Sequence, residues 1–146
     1  MTDLASAKKE LVQYWLEKAA ESFRVAQANF ALNSMSSTVN RLYYAAFYAV
    51  SAVLAAREIK YGKHSAVQSA LHRDLVKPGL LSKKCGAIYD ELVEARHEGD
   101  YAAFATFETE QVKTMLERTE SFLVDVHQLA LKRLQENEAP TETNVP

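Results

Sequence analysis

The segment NRLYYAAFYAVSAVLAA, residues 40–56, is apolar at almost every position, yet it opens on Asn40 and Arg41 and carries Tyr43, Tyr44, Tyr48 and Ser51. Strict alternation of apolar and polar residues, the mark of a half-buried strand, is absent. A helix that is apolar nearly all round must be contacted on several sides. The tyrosines and Ser51 fit a buried helix better than a membrane span, and no run of 18 apolar residues occurs anywhere in the chain. The segment therefore predicts the central helix of a bundle, over about residues 37–57, with Ser36 or Ser37 as its cap. Within it Arg41, Tyr44 and Tyr48 stand at i, i+3 and i+7 and form one polar-tipped stripe.

The flanking sequence supplies partners for that helix. Residues 7–31 place Leu11, Trp15, Ala19, Phe23, Ala26 and Phe30 three or four apart, the spacing of one face of an amphipathic helix. A basic turn around Gly62 carries Lys60 and Lys63. A third helix is expected over residues 65–76, stopped by Pro78 and Gly79. A fourth, over about 82–97, would bury Ile88, Leu92 and Val93 and end at Gly99. A fifth runs from near residue 106 to about 134, with Val112, Leu116, Phe122, Val126 and Leu129 or Ala130 facing inward. The last stretch, QENEAPTETNVP, is polar and proline-containing. The expected organisation is one domain over residues 1–135 and a disordered tail over 136–146. Long helices on short connections favour antiparallel neighbours. The expected class is an all-α, antiparallel four- or five-helix bundle.

Bulk properties narrow the function. The length of 146 residues fits one domain, and only four glycines and three prolines interrupt it. Net charge is −2, which leaves room for a narrow basic strip but not for a strongly basic nucleic-acid-binding domain. The single cysteine, Cys85, cannot close an internal disulfide and favours a reducing compartment. The opening MTDLASAKKELVQYW lacks the apolar core of a secretory signal. A cytoplasmic protein with no membrane association is expected. No Cys-x-x-Cys, His-Glu-x-x-His or glycine-rich phosphate loop is present, so neither a metal nor another cofactor is expected.

Three segments together resemble the HEPN family, in particular its small stand-alone bacterial and archaeal members. They are the long opening helix with LEKAAESFRVAQANF, the helix NRLYYAAFYAVSAVL, and ARHEGDY at residues 95–101. Lys63-His64-Ser65, where relatives often carry a histidine, is a weaker fourth match. The resemblance spans roughly residues 7–130. It implies an antiparallel bundle of four or five helices, usually paired as a homodimer. It also implies a frequent partnership with a minimal nucleotidyltransferase, often as a toxin–antitoxin pair. Some members are metal-independent ribonucleases, and others bind nucleotides or serve as partner modules.

The ribonuclease branch of the family carries an arginine and then, after four to six intervening residues, a histidine. RNA cleavage by a 2′-hydroxyl needs a base, an acid and a fixed cation beside the phosphorane, and histidine with arginine can fill those roles. Here Arg96 is followed by His97, Glu98, Gly99, Asp100, Tyr101, Ala102 and Ala103. Tyr101 stands where the first such histidine would be. His97 is adjacent to Arg96 and, on a helix, points about 100° away from it.

Arg96 reads either as the i+4 partner of Asp100 or, with Asp100, Tyr101, Tyr44 and Arg41, as the wall of a ligand site. Arg41 sits on the most apolar helix and must reach solvent, a carboxylate or a ligand phosphate. Asp100 is its expected internal partner. Tyr43, Tyr44 and Tyr48 read as core aromatics with hydroxyls at the rim, base stacking by one of them being the alternative. His64, beside Lys60 and Lys63, reads as a helix-start residue or as an anion-binding or catalytic group. His72 and His127 read as surface or boundary residues, and Cys85 as a small packing residue.

The candidate catalytic residues are thus Arg96, His97 and His64. The candidate ligand-binding residues are Arg41, Tyr44, Asp100 and Tyr101. The leading expectation is a nucleotide- or RNA-binding interaction module, partnered by a minimal nucleotidyltransferase in a toxin–antitoxin-like system. The alternatives are a ribonuclease whose acid–base group is His64 or His97, and a dimeric scaffold without a ligand. Phe104 and Phe107, without an evident burial site, add to the expectation of a two-fold homodimer.

Overall fold

The computed structural model describes the backbone of residues 2–101 and 106–138 and the side chains of residues 3–98 and 106–136. The elements are α1 (Thr2–Ala31), α2 (Met35–Ala56), α3 (His64–Ala70), a π-helical continuation at Leu71–Val76, α4 (Lys83–Tyr101) and α5 (Thr109–Glu138). No strand occurs among the described residues. The expected all-α bundle is the observed one, and α2 is its centre. Val39, Leu42, Val50, Val53 and Leu54 are buried on it, and so are five of its alanines, Ala45, Ala46, Ala49, Ala52 and Ala56. The small side chains let α1, α4 and α5 pack closely around it.

The α5 face is largely the expected one, and the α1 face differs from the expectation near its start. On α1 the fully buried positions are Val12 and Ala26, with Leu16 and Ala19 close behind, while Leu11 is 46% exposed and Trp15, Phe23 and Phe30 are half-buried. An i, i+3, i+4 pattern leaves the phase of the stripe open by one residue, and contact with α2 settles it. On α5 the buried set is Val112, Met115, Phe122, Val126, Ala130 and Leu134, with Leu116 and Leu129 at its edge. Phe107 packs against this core, so it does not require a partner chain for burial. Phe104 lies outside the described residues.

Helix ends depart from expectation in four places. The cap of α2 falls on Ser34 rather than Ser36 or Ser37, and its hydroxyl makes no capping bond. Helix α4 continues through Gly99 to Tyr101, because one glycine costs a helix only about 1 kcal/mol. Helix α5 begins at Thr109 and reaches Glu138, beyond the expected boundary at residue 135; residues 139–146 lie outside the described residues. Residues 71–76 are π-helical, with Lys77 N–H reaching the His72 carbonyl at 2.9 Å.

Two helices end in the same left-handed cap. After α1, Asn33 has φ +59° and Ser34 N–H bonds the Asn29 carbonyl at 2.9 Å. After α2, Glu58 has φ +59° and Ile59 N–H bonds the Leu54 carbonyl at 2.8 Å. Asparagine tolerates this conformation, whereas glutamate pays a steric cost there. The Glu58 carboxylate meets Lys8 Nζ at 3.5 Å, but it is 75% exposed, and such a pair contributes little. Glu58→Gly is therefore expected to stabilise the fold by about 1 kcal/mol, the cost of a left-handed non-glycine residue. A urea midpoint lower than that of the wild type would contradict this account.

Candidate functional site

Two guanidinium groups close on one tyrosine. Arg41, a turn before Tyr44 on α2, sets its Cζ 4.8 Å from the Tyr44 ring centroid. Arg96 reaches the same ring from α4, with Cζ at 5.2 Å, and Nη2 donates to the Tyr44 hydroxyl at 3.3 Å. Arg96 also covers Tyr43 at 4.8 Å. Arginine stacks well on aromatic faces because its charge is planar and weakly hydrated. Three of the expected ligand-site residues, Arg41, Tyr44 and Arg96, thus meet across 52 positions of sequence between Tyr44 and Arg96.

The Arg41 side chain is held from its own helix. Its Nε and Nη2 donate to Asn40 Oδ1 at 3.2 and 2.9 Å. Ser22 of α1 donates to the Arg41 carbonyl at 2.7 Å and fixes the backbone beneath it. The side chains of Asp100 and Tyr101 lie outside the described residues. His97 occupies an exposed position on α4.

His64, far away in sequence, joins the cluster through Tyr43 and Phe47. Its Nδ1 is 3.1 Å from the Tyr43 hydroxyl, and its ring stacks on Phe47 with centroids 4.0 Å apart. Desolvation lowers its pKa below the ordinary imidazole value, and the nearby positive charge of Arg96 lowers it further. At neutral pH His64 is therefore an uncharged base, and the bond at Nδ1 leaves Nε2 for other contacts. Behind it, burial raises the pKa of Tyr43, so its hydroxyl stays protonated. The Tyr89 hydroxyl lies near that of Tyr43 within the core but does not close a hydrogen bond in this geometry.

Neither Tyr43 as the seat of His64 nor Asn40 as the clamp of Arg41 was assigned from sequence. The NR and YY dipeptides were visible there, but only the turn between α2 and α3 brings residue 64 back over residue 43. His72, expected at the surface or boundary, is half-buried there and bonds Asp90 at 2.8 Å, which also accepts from Gln68 at 2.8 Å. Gly86 makes room for it, since a Cβ there would lie 2.9 Å from the His72 ring. Cys85 is buried, with Sγ 3.6 Å from an Asp125 carboxylate oxygen, and burial raises its pKa. It packs rather than reacts. Among the described residues, no group of three or more histidine, cysteine or acidic side chains is placed to hold a metal ion, and no helix is long and apolar enough to cross a membrane.

Comparison with known proteins agrees with this architecture. A UPF0332 protein of Thermotoga maritima is 38% identical over 122 residues, covering 84% of this chain and 92% of its own length. A protein of Methanocaldococcus jannaschii named as a candidate toxin is 28% identical over 116 residues, covering 80% and 78%. The model of the HEPN domain matches residues 12–129, a range that holds the central helix, the two arginines and His64. The chain belongs to the HEPN family.

Proposed function

We propose that this protein is a HEPN-type module that binds RNA or a nucleotide through phosphate at Arg41 and Arg96, and that it works with a minimal nucleotidyltransferase in a toxin–antitoxin-like system. The observation that carries the reading is the convergence of both guanidinium groups on Tyr44. Two planar cations held against an aromatic ring offer a phosphate several N–H donors, and the ring offers a base a stacking surface. The name of the Methanocaldococcus relative supports the toxin-like role. The partnership rests on family membership alone, and its check is co-purification of a nucleotidyltransferase with the tagged protein from its own host.

Binding of a short single-stranded RNA should weaken about ten- to a hundredfold in Arg41→Ala and in Arg96→Ala, as for a charge-assisted hydrogen bond worth ~1.5–3 kcal/mol. Circular dichroism should show both variants folded. A folded wild-type protein that binds neither RNA nor nucleotides would overturn the proposal.

The position of His64 favours a second reading, in which the same site cleaves RNA without a metal. Neutral His64 would take the 2′-hydroxyl proton while the arginines hold the phosphate. The 2′-oxygen would bond phosphorus as the bond to the 5′-oxygen breaks, with that oxygen protonated from solvent. The products would be a 2′,3′-cyclic phosphate and a 5′-hydroxyl. Cleavage of total cellular RNA would then be lost in both Arg96→Ala and His64→Ala, and intact RNA after incubation with wild type would exclude it.

The titration of His64 tests the geometry whichever reading holds. Its NMR-detected pKa should lie below the ordinary value of about 6.5 and rise in Arg96→Gln, because one of its two depressing causes is removed. A base of this kind works in its neutral form, so a cleavage rate dependent on it climbs as pH rises through that lowered pKa. A rate that falls over the same interval would assign the proton transfer elsewhere.

A further inference from the structure

The stripe that begins at Arg41 and Tyr44 does not stop there. On α2, residues 41, 44, 48, 51 and 55 fall on one side of the helix, and cations and aromatic rings accompany it along much of this length. Tyr48 lies 5.8 Å from Tyr44 and stacks on Trp15 of α1, with centroids 5.7 Å apart and planes at 22°. Lys18 Nζ stands over Tyr48 at 5.5 Å and over the half-exposed Tyr14 at 5.9 Å. Beyond them opens a cleft of about 600 Å³ between α1 and the turn after α2. Leu11, Trp15, Ala55 and Ile59 line its apolar wall, and Tyr61 joins them. Its polar floor is the Tyr61 hydroxyl donating to Ser51 Oγ at 2.8 Å, and its rim carries Lys8 and Lys60. Among the described residues, Glu58 is the one acidic residue lining the cleft; it faces Lys8 at 3.5 Å in an exposed pair that a phosphate can displace at little cost.

We infer that this stripe is a track for an unpaired nucleic-acid strand, with the Trp15–Tyr61 cleft as a second subsite that takes a base lying several nucleotides from the phosphate held by Arg41 and Arg96. The inference rests on the phosphate-binding reading of that arginine pair and assigns its ligand class, a single strand in place of a mononucleotide. Three features argue for this occupant. Alternating aromatic and cationic groups are what a flexible strand of stacked bases and charged phosphates complements. A chain of ring contacts, Tyr44 to Tyr48 to Trp15, links the arginine site to the wall of the cleft. From Tyr44 to Ala55 the helix rises about 16 Å, at ~1.5 Å per residue, a span one nucleotide cannot bridge. A local row of cations is compatible with a net charge of −2.

Trp15 is the only tryptophan, so the wild-type protein reports on its own cleft. The experiment titrates it with uridine oligonucleotides of one to eight residues, 2′-O-methylated so that they cannot be cleaved, and follows tryptophan fluorescence and affinity together. Uridine monophosphate is expected to bind without altering the emission. Oligomers of about four or more nucleotides should quench it and bind about tenfold tighter, the gain one stacked base can supply. Lys8→Ala/Lys60→Ala should reduce that length advantage, and Arg96→Ala should weaken oligomers of every length. Affinity independent of length with unchanged emission overturns the track and leaves the arginine site standing. Quenching that persists undiminished in Arg96→Ala overturns it as well, by making the cleft an independent site. Absence of binding at every length overturns the track together with the reading beneath it.

Discussion

Burial of α2 on almost every side is the constraint from which the rest of the molecule follows. With Leu42, Val50, Val53 and Leu54 fully enclosed and alanines filling the close approaches, the helix can be solvated only along a narrow line and at its N-terminal turn. Arg41 has to emerge there, because a guanidinium left unpaired in that core would be strongly destabilising. The same closeness of packing brings α4 near enough for Arg96 to reach Tyr43 and Tyr44. The site is therefore a consequence of the packing: the polar residues sit where the central helix is not covered.

The path of the chain after α2 adds the third component. Glu58 takes the left-handed conformation at the helix end, which turns the chain sharply, and six residues later His64 lies against Phe47 and Tyr43. The turn also forms one wall of the cleft that holds Tyr61. One connection thus serves two ends of the same stripe, placing the His64 imidazole within the field of Arg96 and a tyrosine hydroxyl over Ser51. The strain at Glu58 is local and small against the apolar burial of α2.

Much of this was legible in the sequence, and the limits have physical causes. The helical class and the central place of residues 40–56 follow from period and composition. Arg41 stands out because a cation within a strongly apolar helix needs a reason, Tyr44 shares its stripe, and Arg96 stands out through the resemblance of ARHEGDY to the HEPN family. Near the start of α1 the buried residue is Val12 and not Leu11, since the two are equally apolar and only the fit to α2 distinguishes them, while Ala19 and Ala26 are buried as expected. The ends of α2 and α4 were misplaced because serine and glycine mark helix ends by preference, and tertiary contact overrides a preference of about 1 kcal/mol. The His64–Tyr43 and His72–Asp90 contacts, 21 and 18 residues apart, depend on how helices pack and leave no local signal.

The form of the Arg41 contacts bears on what the site can do. An arginine paired fork-to-fork with a carboxylate spends its N–H donors on a neutral pair. Arg41 instead stacks on Tyr44 and gives two donations to the amide oxygen of Asn40. Neither contact cancels its charge, and a guanidinium that donates twice from a set of five N–H groups retains donors for a phosphate. Tyr44 holds the group in place through its ring, a non-directional attraction that fixes position without consuming hydrogen-bonding capacity. Asn40 then sets the orientation. Among the described residues, the neighbours of Arg41 are thus an amide and an aromatic ring, and both leave its charge uncancelled.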